Sequence, residues 1–299
     1  MCGIIGYSGP KEPLPILIGG LSRLEYRGYD SAGVAILDGE TLTIEKKEGK
    51  LQVLKDHLAD SKINGNIGIG HTRWATHGVP NDVNAHPHSD NQNEFAIIHN
   101  GIIENYAEMK DDLLKGGFKF ESDTDTEVVA VELGNQWTGR LLETVTNVAK
   151  KLDGTYALVV TSTKEPGTIV AGRMMSPLVL GVGEGETFLA SDSAAILEHT
   201  NKMIFLENGD FVEITNGKFK LFDENMNEIS REIQEIDWKV SEAEKSGYDH
   251  FMYKEILEQA EVIERTISGR LEIGSEEIPI DLNKAKEFEK IWIVACGTA

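Results

Sequence analysis

The feature that most constrains the fold is the grouping of short apolar segments into two runs that are separated by a pair of helical patterns. The first run comprises "CGIIGY", "SAGVAIL", "LTIEKK", "NIGIGHTRW" and "EFAIIHNG", and the second fills residues 153–220. Helices are predicted in "PLPILIGGLSRLEYRG" and, between the runs, in "NYAEMKDDLLKG" and "DTEVVAVELGNQW". Because helices and strands do not alternate one by one, the pattern predicts a layered α+β domain and not a series of βαβ units.

A second domain is indicated by a change of composition after Trp238. The segment "KVSEAEKSGYDH" is typical of a linker, and "FMYKEILEQAEVIERTI" predicts a helix with Ile256, Ala260, Ile263 and Ile267 on one face. The closing "KIWIVACGTA" is typical of a buried strand that runs into a Gly-Thr turn. We therefore predict one domain over 2–238, and over 239–299 the linker, helix and first strand of a domain that is cut off.

Composition and charge exclude several classes of function. A formal net charge of -21 disfavours binding to nucleic acid or anionic membranes, which carry the same sign. No segment approaches the ~20 apolar residues that span a bilayer, and the N-terminus lacks the pattern of a signal peptide. Two cysteines, Cys2 and Cys296, form no disulfide framework and fit a reducing compartment. We predict a cytoplasmic protein with no cofactor, no bound metal and no nucleic-acid or membrane partner.

The position of Cys2 suggests nucleophilic catalysis. Once Met1 is removed, the thiol and a free α-amine belong to one residue. The reference pKa of such an amine is about 7.7–8.0 and that of a thiol about 8.5, so the amine can take the thiol proton directly or through one water. The alternative is that position two merely tolerates a small residue.

Three further segments end strands or begin helices and carry polar side chains. In "GHTRWATHG", Arg73 has the bidentate fork that grips a carboxylate. In "IIHNGIIENY", the Asn100 amide and the Gly101 N–H are suited to an oxyanion hole. In "SDTDTEV", Asp125 is suited to an ammonium group or to the helix dipole. Taken singly, each segment has a structural explanation: a surface ion pair, an Asn-Gly turn or a helix cap.

Two rival interpretations use the same residues. Five histidines fall within one short window, so a zinc or other divalent hydrolase is the competing enzyme class, although no H-E-x-x-H helix is present. A binding module without catalysis is the other, and it leaves the position of Cys2 unexplained. The histidines are His71, His77, His86, His88 and His99.

Considered together, the motifs resemble the class II glutamine amidotransferases. The likeness rests on "MCGI", "LEYRGYDSAG", "HTRWATHG", "VNAHPH", "HNGIIENY", "SDTDTEV", "SPLVLG" and "ASD", and it resumes at "HFMYKEILEQ" and "ACGT". "LEYRGYDSAG" and "ACGT" resemble most the members that carry a sugar isomerase half and pass ammonia to fructose-6-phosphate. The resemblance implies the N-terminal nucleophile (Ntn) hydrolase fold, a four-layer αββα sandwich. For the full-length protein it implies a homodimer formed through the isomerase half.

The resemblance also implies roles in the hydrolysis of L-glutamine to glutamate and ammonia. Cys2 would be the nucleophile, with its own amine as the base, and Asn100 and Gly101 would form the oxyanion hole. Arg73 would bind the α-carboxylate of glutamine, and Asp125 would bind the α-ammonium.

The remaining implied residues lie around this site. Thr76 and His77 would line the pocket beside the carboxylate. Trp74 would gate the route of ammonia, and Arg27 would help to close a loop over the site. His86 matches a family position near the domain interface.

Overall fold

The computed structural model describes residues 2–237, 248 and 251–267, without the side chains of Arg27, Phe251, Glu261 and residues 264–267. It divides the chain into two compact units, Met1–Glu244 and Lys245–Ala299. The domain boundary expected at residue 238 stays a prediction, and the expected strand in "KIWIVACGTA" lies outside the described residues. None of the described helices is long and apolar enough to cross a bilayer.

Two antiparallel sheets form the centre of the first unit. The strands are β1 (Gly3–Ser8), β2 (Ser31–Asp38), β3 (Thr41–Glu48), β4 (Ile67–Arg73), β5 (His88–Ser89), β6 (Phe95–Ile103), β7 (Gly154–Ser162), β8 (Thr168–Met174), β9 (Val179–Val182), β10 (Thr187–Ala190), β11 (Lys202–Phe205), β12 (Phe211–Thr215), β13 (Lys218–Phe222), β14 (Glu228–Ile229) and β15 (Gln234–Glu235). The first sheet has the order β15-β11-β9-β10-β1-β4-β2-β3, and the second β14-β13-β12-β8-β7-β6-β5.

Helices cover the outer face of each sheet. They are α1 (Pro13–Leu24), α2 (Leu51–Leu58), α3 (Tyr106–Lys115), α4 (Asp125–Asn135) and α5 (Leu141–Ala149), and the second unit contains α6 (Phe251–Ile267). α1 and α2 pack on the first sheet, whereas α4 and α5 pack on the second. The predicted four-layer αββα sandwich is therefore confirmed.

Side-chain alternation along β1 explains how this strand holds the layers together. Ile4 packs between the two sheets with Ile69 and Ile98, whereas Ile5 packs outward against Leu17 and other apolar residues of α1. Successive side chains of a strand point to opposite faces, so every residue of β1 is buried. Each such Ile or Leu stabilises the fold by about 1.5–3 kcal/mol.

The register of two strands places the polar residues identified from the sequence. Gly3 pairs with Thr72 in the antiparallel β1–β4 ladder, so Cys2 lies beside the end of β4, where Arg73 stands. β6 carries Asn100 in the second sheet. The two sheets therefore bring the N-terminus and both strand ends to one edge of the sandwich.

Candidate active site

The Cys2 thiol is held by the backbone of the segment that follows β4. The N–H of Trp74 donates to Cys2 Sγ at 3.2 Å, and the thiol donates to Trp74 O at 3.5 Å. Burial raises the pKa of the Cys2 thiol, and the Trp74 hydrogen bond opposes this effect without cancelling it. At neutral pH the sulfur therefore holds its proton, and nucleophilic attack requires a base.

Asn100 projects from β6 towards the same residue. Its Nδ2 donates to Cys2 O at 2.9 Å, and its Oδ1 lies 3.0 Å from His71 Nε2. The carboxamide nitrogen carries two hydrogens, so one of them remains after the bond to Cys2 O. A donor hydrogen that is not used by Cys2 O is thus held beside the Cys2 residue.

Arg73 brings an incompletely paired cation to the site. Its side chain is only 3% exposed, and its Nη2 donates to His77 O and Gly78 O. Among the described residues, its buried Nη1 has no hydrogen-bond partner. A guanidinium stays charged in proteins, and a buried donor without a partner is costly. The position therefore suits an incoming anion such as a carboxylate.

The segment after Arg73 forms one wall. The Thr76 hydroxyl lies 3.3 Å from His77 Nδ1, and the His77 ring packs edge-on against Tyr106. The Trp74 indole is 48% exposed and packs edge-on against Tyr29 with centroids 5.3 Å apart. These side chains can therefore contact a bound molecule from its solvent side.

Asp125 begins α4 at the opposite wall. Its Oδ2 accepts from Ile103 N–H at 2.9 Å, and its Oδ1 accepts from the Thr126 hydroxyl at 3.3 Å. A carboxylate has about four lone-pair sites, so it retains acceptor capacity for an ammonium group. The helix start is fixed by a side-chain cap, since Thr124 Oγ1 accepts from Glu127 N–H at 3.2 Å.

The cap of α4 differs from a capping box in one of its two hydrogen bonds. In a capping box the carboxylate at the third helical position would accept from Thr124 N–H. Here Glu127 accepts instead from the N–H groups of Glu121 and Ser122, and Thr124 N–H donates to the Ser122 hydroxyl at 3.3 Å. The carboxylate therefore ties the preceding loop to the helix.

Gly101 follows Asn100 in a conformation that excludes a side chain. Its φ is +131°, and a Cβ there would lie 1.9 Å from Thr155 O on the neighbouring strand. The backbone of β6 consequently approaches β7 at the cavity as only a glycine allows.

Four histidines from the sequence window are buried beside the cavity. Burial lowers the pKa of His71 to about 3, and it lowers the pKa values of His86, His88 and His99. The rings of His71 and His86 stack with centroids 4.3 Å apart. In the part of the chain that the structure describes, no three His, Cys, Asp or Glu side chains are arranged to hold a metal ion.

Threonine hydroxyls are the side-chain partners of three of these rings. Thr126 Oγ1 lies 2.9 Å from His86 Nε2 and 3.0 Å from His99 Nδ1. Thr124 Oγ1 lies 3.0 Å from His88 Nε2. Both threonines belong to the start of α4, so the histidines connect this helix to the floor of the site.

One cavity of about 310 Å³ collects the predicted residues. The side chain of Arg27 lies outside the described residues. The predicted residues that line the cavity are Cys2, Arg73, Trp74, Thr76, His77, His86, Asn100, Gly101 and Asp125.

The sequence interpretation missed residues that shape this cavity. Asp30, within "LEYRGYDSAG", accepts from the N–H of Ala75 and from the Ser31 hydroxyl at 3.0 Å, and so fixes the segment after β4. Ser176 and Pro177, within "SPLVLG", line the cavity. Asp30, Ser176 and Pro177 belong to motifs that carry the family resemblance, and this was the signal that could have identified them. Their residue types alone do not indicate a role in the site.

Comparison with known proteins gives a consistent result. A family profile described as "Glutamine amidotransferase domain" matches residues 55–251. The glutamine–fructose-6-phosphate aminotransferase (isomerizing) of Clostridium tetani is 48% identical over 303 residues, covering 100% of this chain and 50% of that protein. The protein of the same name from Aquifex aeolicus is 47% identical over 299 residues, with the same two coverages of 100% and 50%. The chain thus spans about half the length of the curated relatives that it matches.

A solved structure supports the same grouping. The glutamine phosphoribosylpyrophosphate amidotransferase from B. subtilis, in complex with ADP and GMP, superposes with a TM-score of 0.67 at 28% sequence identity. The match covers 76% of this chain and 50% of that chain.

Proposed function

The chain belongs to the class II glutamine amidotransferases. We propose that it hydrolyses L-glutamine to glutamate and ammonia in this cavity, with Cys2 as the nucleophile. One observation carries this assignment: a thiol, a carboxamide donor and a guanidinium with an unpartnered Nη1 line the same cavity. The thiol supplies the nucleophile. The buried Nη1 of Arg73, which has no hydrogen-bond partner among the described residues, is suited to a substrate that carries a carboxylate.

Glutamine is held by its amino-acid end. Its α-carboxylate pairs with Arg73, where a charge-assisted hydrogen bond contributes about 1.5–3 kcal/mol. Its α-ammonium pairs with Asp125, which retains acceptor capacity beside Ile103 N–H. Thr76 and His77 cover the carboxylate. The side-chain amide then extends towards Cys2.

Attack begins with transfer of the thiol proton to the α-amine of Cys2 after removal of Met1. The amine is suited to this step because its reference pKa of about 7.7–8.0 is close to neutral pH. The sulfur forms a bond to the amide carbon, and the carbonyl oxygen becomes an oxyanion. Asn100 Nδ2 and the N–H of Gly101 donate to this oxyanion, which is the kind of charge that preorganised donors stabilise.

Three further proton transfers complete the reaction. The ammonium of Cys2 returns its proton to the departing nitrogen, so ammonia leaves and a thioester remains. Water then attacks the thioester while the amine accepts a proton from it. Collapse of the second intermediate breaks the C–S bond and releases glutamate, and the ammonium of Cys2 gives its proton to the departing sulfur, which restores the thiol.

The longer protein is proposed to use the ammonia. The relatives that match the whole chain at about half their length are named for fructose-6-phosphate, and this supports transfer of ammonia to that sugar by a second half. Trp74, half-exposed at the cavity, is proposed to gate the passage of ammonia. The roles of Arg27 and His86, the homodimer of the full-length protein and its cytoplasmic location stay predictions.

Labelling with a diazoketone analogue of glutamine tests the assignment. We expect one adduct, mapped to Cys2 by mass spectrometry, and complete loss of glutamate release, with no effect of chelators. Cys2→Ser should remove both labelling and activity, and Cys296→Ser is the matched control that retains both. Activity that survives full alkylation of Cys2 but is lost on chelation would favour a metal-dependent hydrolase.

A further inference from the structure

The buried imidazole of His71 lies directly behind Asn100. His71 is the fifth residue of β4 and is 1% exposed. Its Nε2 lies 3.0 Å from His99 O and 3.0 Å from Asn100 Oδ1. It is not among the residues assigned to glutamine or to the reacting atoms.

The position of the ring proton follows from these partners. The carbonyl oxygen of His99 only accepts hydrogen bonds, so an unprotonated Nε2 would set two lone pairs against each other. Burial lowers the pKa of His71 to about 3, and the ring therefore carries a single proton at neutral pH. That proton is on Nε2, which agrees with a buried Nδ1 that has no hydrogen-bond partner among the described residues.

The orientation of the Asn100 carboxamide follows in turn. An amide has nearly the same shape after a half-turn, which exchanges its oxygen for its nitrogen. With Nε2–H in place, the half-turned amide would set its own donors against the imidazole donor. The observed orientation sends Oδ1 to His71 and Nδ2 to Cys2 O at 2.9 Å.

We propose that His71 is a positioning residue for the oxyanion hole, acting through Asn100 by donating its Nε2 proton to the carboxamide oxygen. This inference rests on the proposed function. Without this donor, only the hydrogen bond from Nδ2 to Cys2 O opposes the half-turned state, so that state becomes more populated. In it, the carboxamide oxygen faces the developing oxyanion and repels it. The effect of His71 thus falls on turnover and passes entirely through Asn100.

Substitutions that differ in reach isolate the donor. The amide nitrogen of glutamine is separated from Cα by as many bonds as Nε2 of histidine, whereas that of asparagine matches Nδ1. His71→Gln therefore retains a donor towards Asn100 Oδ1, and His71→Asn does not. His71→Leu removes the donor while filling the buried space.

The decisive measurement is a double-mutant cycle with Asn100→Ala, read as glutamate release against glutamine concentration. Asn100→Ala alone should reduce kcat by about 10²–10³-fold. His71→Leu alone should reduce kcat by about 10–100-fold, as small misplacements of catalytic groups do, with KM changed by less than about twofold. In the Asn100→Ala background, His71→Leu should change kcat by less than about twofold, because coupled residues are not additive.

A neighbouring histidine is the matched control. His88 is equally buried, and its Nε2 partner is Thr124 and not Asn100, so the effect of His88→Gln should be the same in both backgrounds. Equal losses from His71→Leu in both backgrounds would overturn the inference. If His71→Leu does not fold, the amide pair decides: kcat of His71→Gln well above that of His71→Asn supports the inference, and equal values refute it. Absence of glutamine hydrolysis by the unmodified, Met1-free chain would instead refute the proposed function.

Discussion

Replacement of Arg73 by lysine tests whether the cavity recognises an amino acid by its carboxylate. The guanidinium is proposed to have two tasks. Nη2 holds the carbonyls of His77 and Gly78, while Nη1, which has no hydrogen-bond partner among the described residues, would bind the substrate. A lysine ammonium is a single point charge and lacks the planar fork, so it cannot serve both at once. The side chain is only 3% exposed, and water therefore does not replace the lost contact.

The size of the effect follows from the lost hydrogen bond. A hydrogen bond between charged groups contributes about 1.5–3 kcal/mol, and each 1.4 kcal/mol is about tenfold in affinity. KM for glutamine should therefore rise by about 10–150-fold in Arg73→Lys. The reacting amide lies at the other end of the substrate, so kcat should fall much less.

A substrate without the carboxylate provides the internal control. The amide of γ-aminobutyric acid is glutamine without its α-carboxylate, so its hydrolysis should be slow in both proteins and almost unaffected by the substitution. Arg140→Lys, at an exposed pair with Glu213, controls for arginine replacement itself. Unchanged KM for glutamine, or the same loss of kcat/KM on both substrates, would show that Arg73 does not bind the carboxylate.

Three further outcomes are expected. A chain that retains Met1 should fold and bind glutamine but release almost no glutamate, since the nitrogen of Cys2 is then an amide; aminopeptidase treatment should restore activity in proportion to the processed fraction measured by mass. Gly101→Ala should lower the free energy of unfolding by at least about 2 kcal/mol in urea titrations, because overlap with Thr155 O adds to backbone strain. Gly117→Ala is the control and should lower this free energy less, since φ there is +88° and no atom lies within 4 Å of the added Cβ. Acid should destabilise the fold, because the pKa of His71 is lowered to about 3 in the folded state and the unfolded chain therefore binds more protons below about pH 6.5. This residue alone should lower the free energy of unfolding by about 2 kcal/mol at pH 5. A stability that stays constant from pH 7 to pH 5, or a pH slope that is unchanged in His71→Gln, would contradict that assignment.

The strands that carry the chemistry were predictable because each is an apolar run that ends in a polar motif. β4 and β6 follow this pattern, whereas β1 begins directly after Cys2 and α4 begins within the polar segment "SDTDTEV". The fully buried central strands leave a clear signal in the sequence, since nearly every residue must be apolar or glycine. The four-layer arrangement came from family resemblance and not from these patterns.

Two helices were missed for local reasons. α2 has only eight residues and no side-chain cap at Lys50. α5, "LLETVTNVA", is rich in β-branched residues that favour strands, although Leu141, Leu142, Val145 and Val148 have the spacing of a helix face. Tertiary packing on the second sheet decides its conformation.

The histidine window shows the limit of sequence reasoning at the site. The residues are indeed brought close together, as a metal site would require. Their side-chain partners are Thr124, Thr126 and Asn100, however, and Asn100 approaches His71 from the other sheet. Nothing in the spacing of the histidines indicates these partners, because they depend on how two sheets and a helix start are packed.

β4 pairs on both sides, with β1 and with β2, so each of its side chains is fixed on one face of the sheet. The site therefore depends on which residues of β4 occupy the odd positions and which the even positions. His71 and Arg73 face the second sheet and the cavity, while Thr72 lies against Gly3 and near Leu24 of α1. Inserting or deleting one residue within β4 would turn both functional side chains to the α1 face. The connection between β3 and β4, which precedes this strand, carries no such restriction. The number of residues between Cys2 and Arg73 can therefore differ among relatives when the insertion or deletion lies outside β4. Within β4, only an even number of residues can be inserted or deleted.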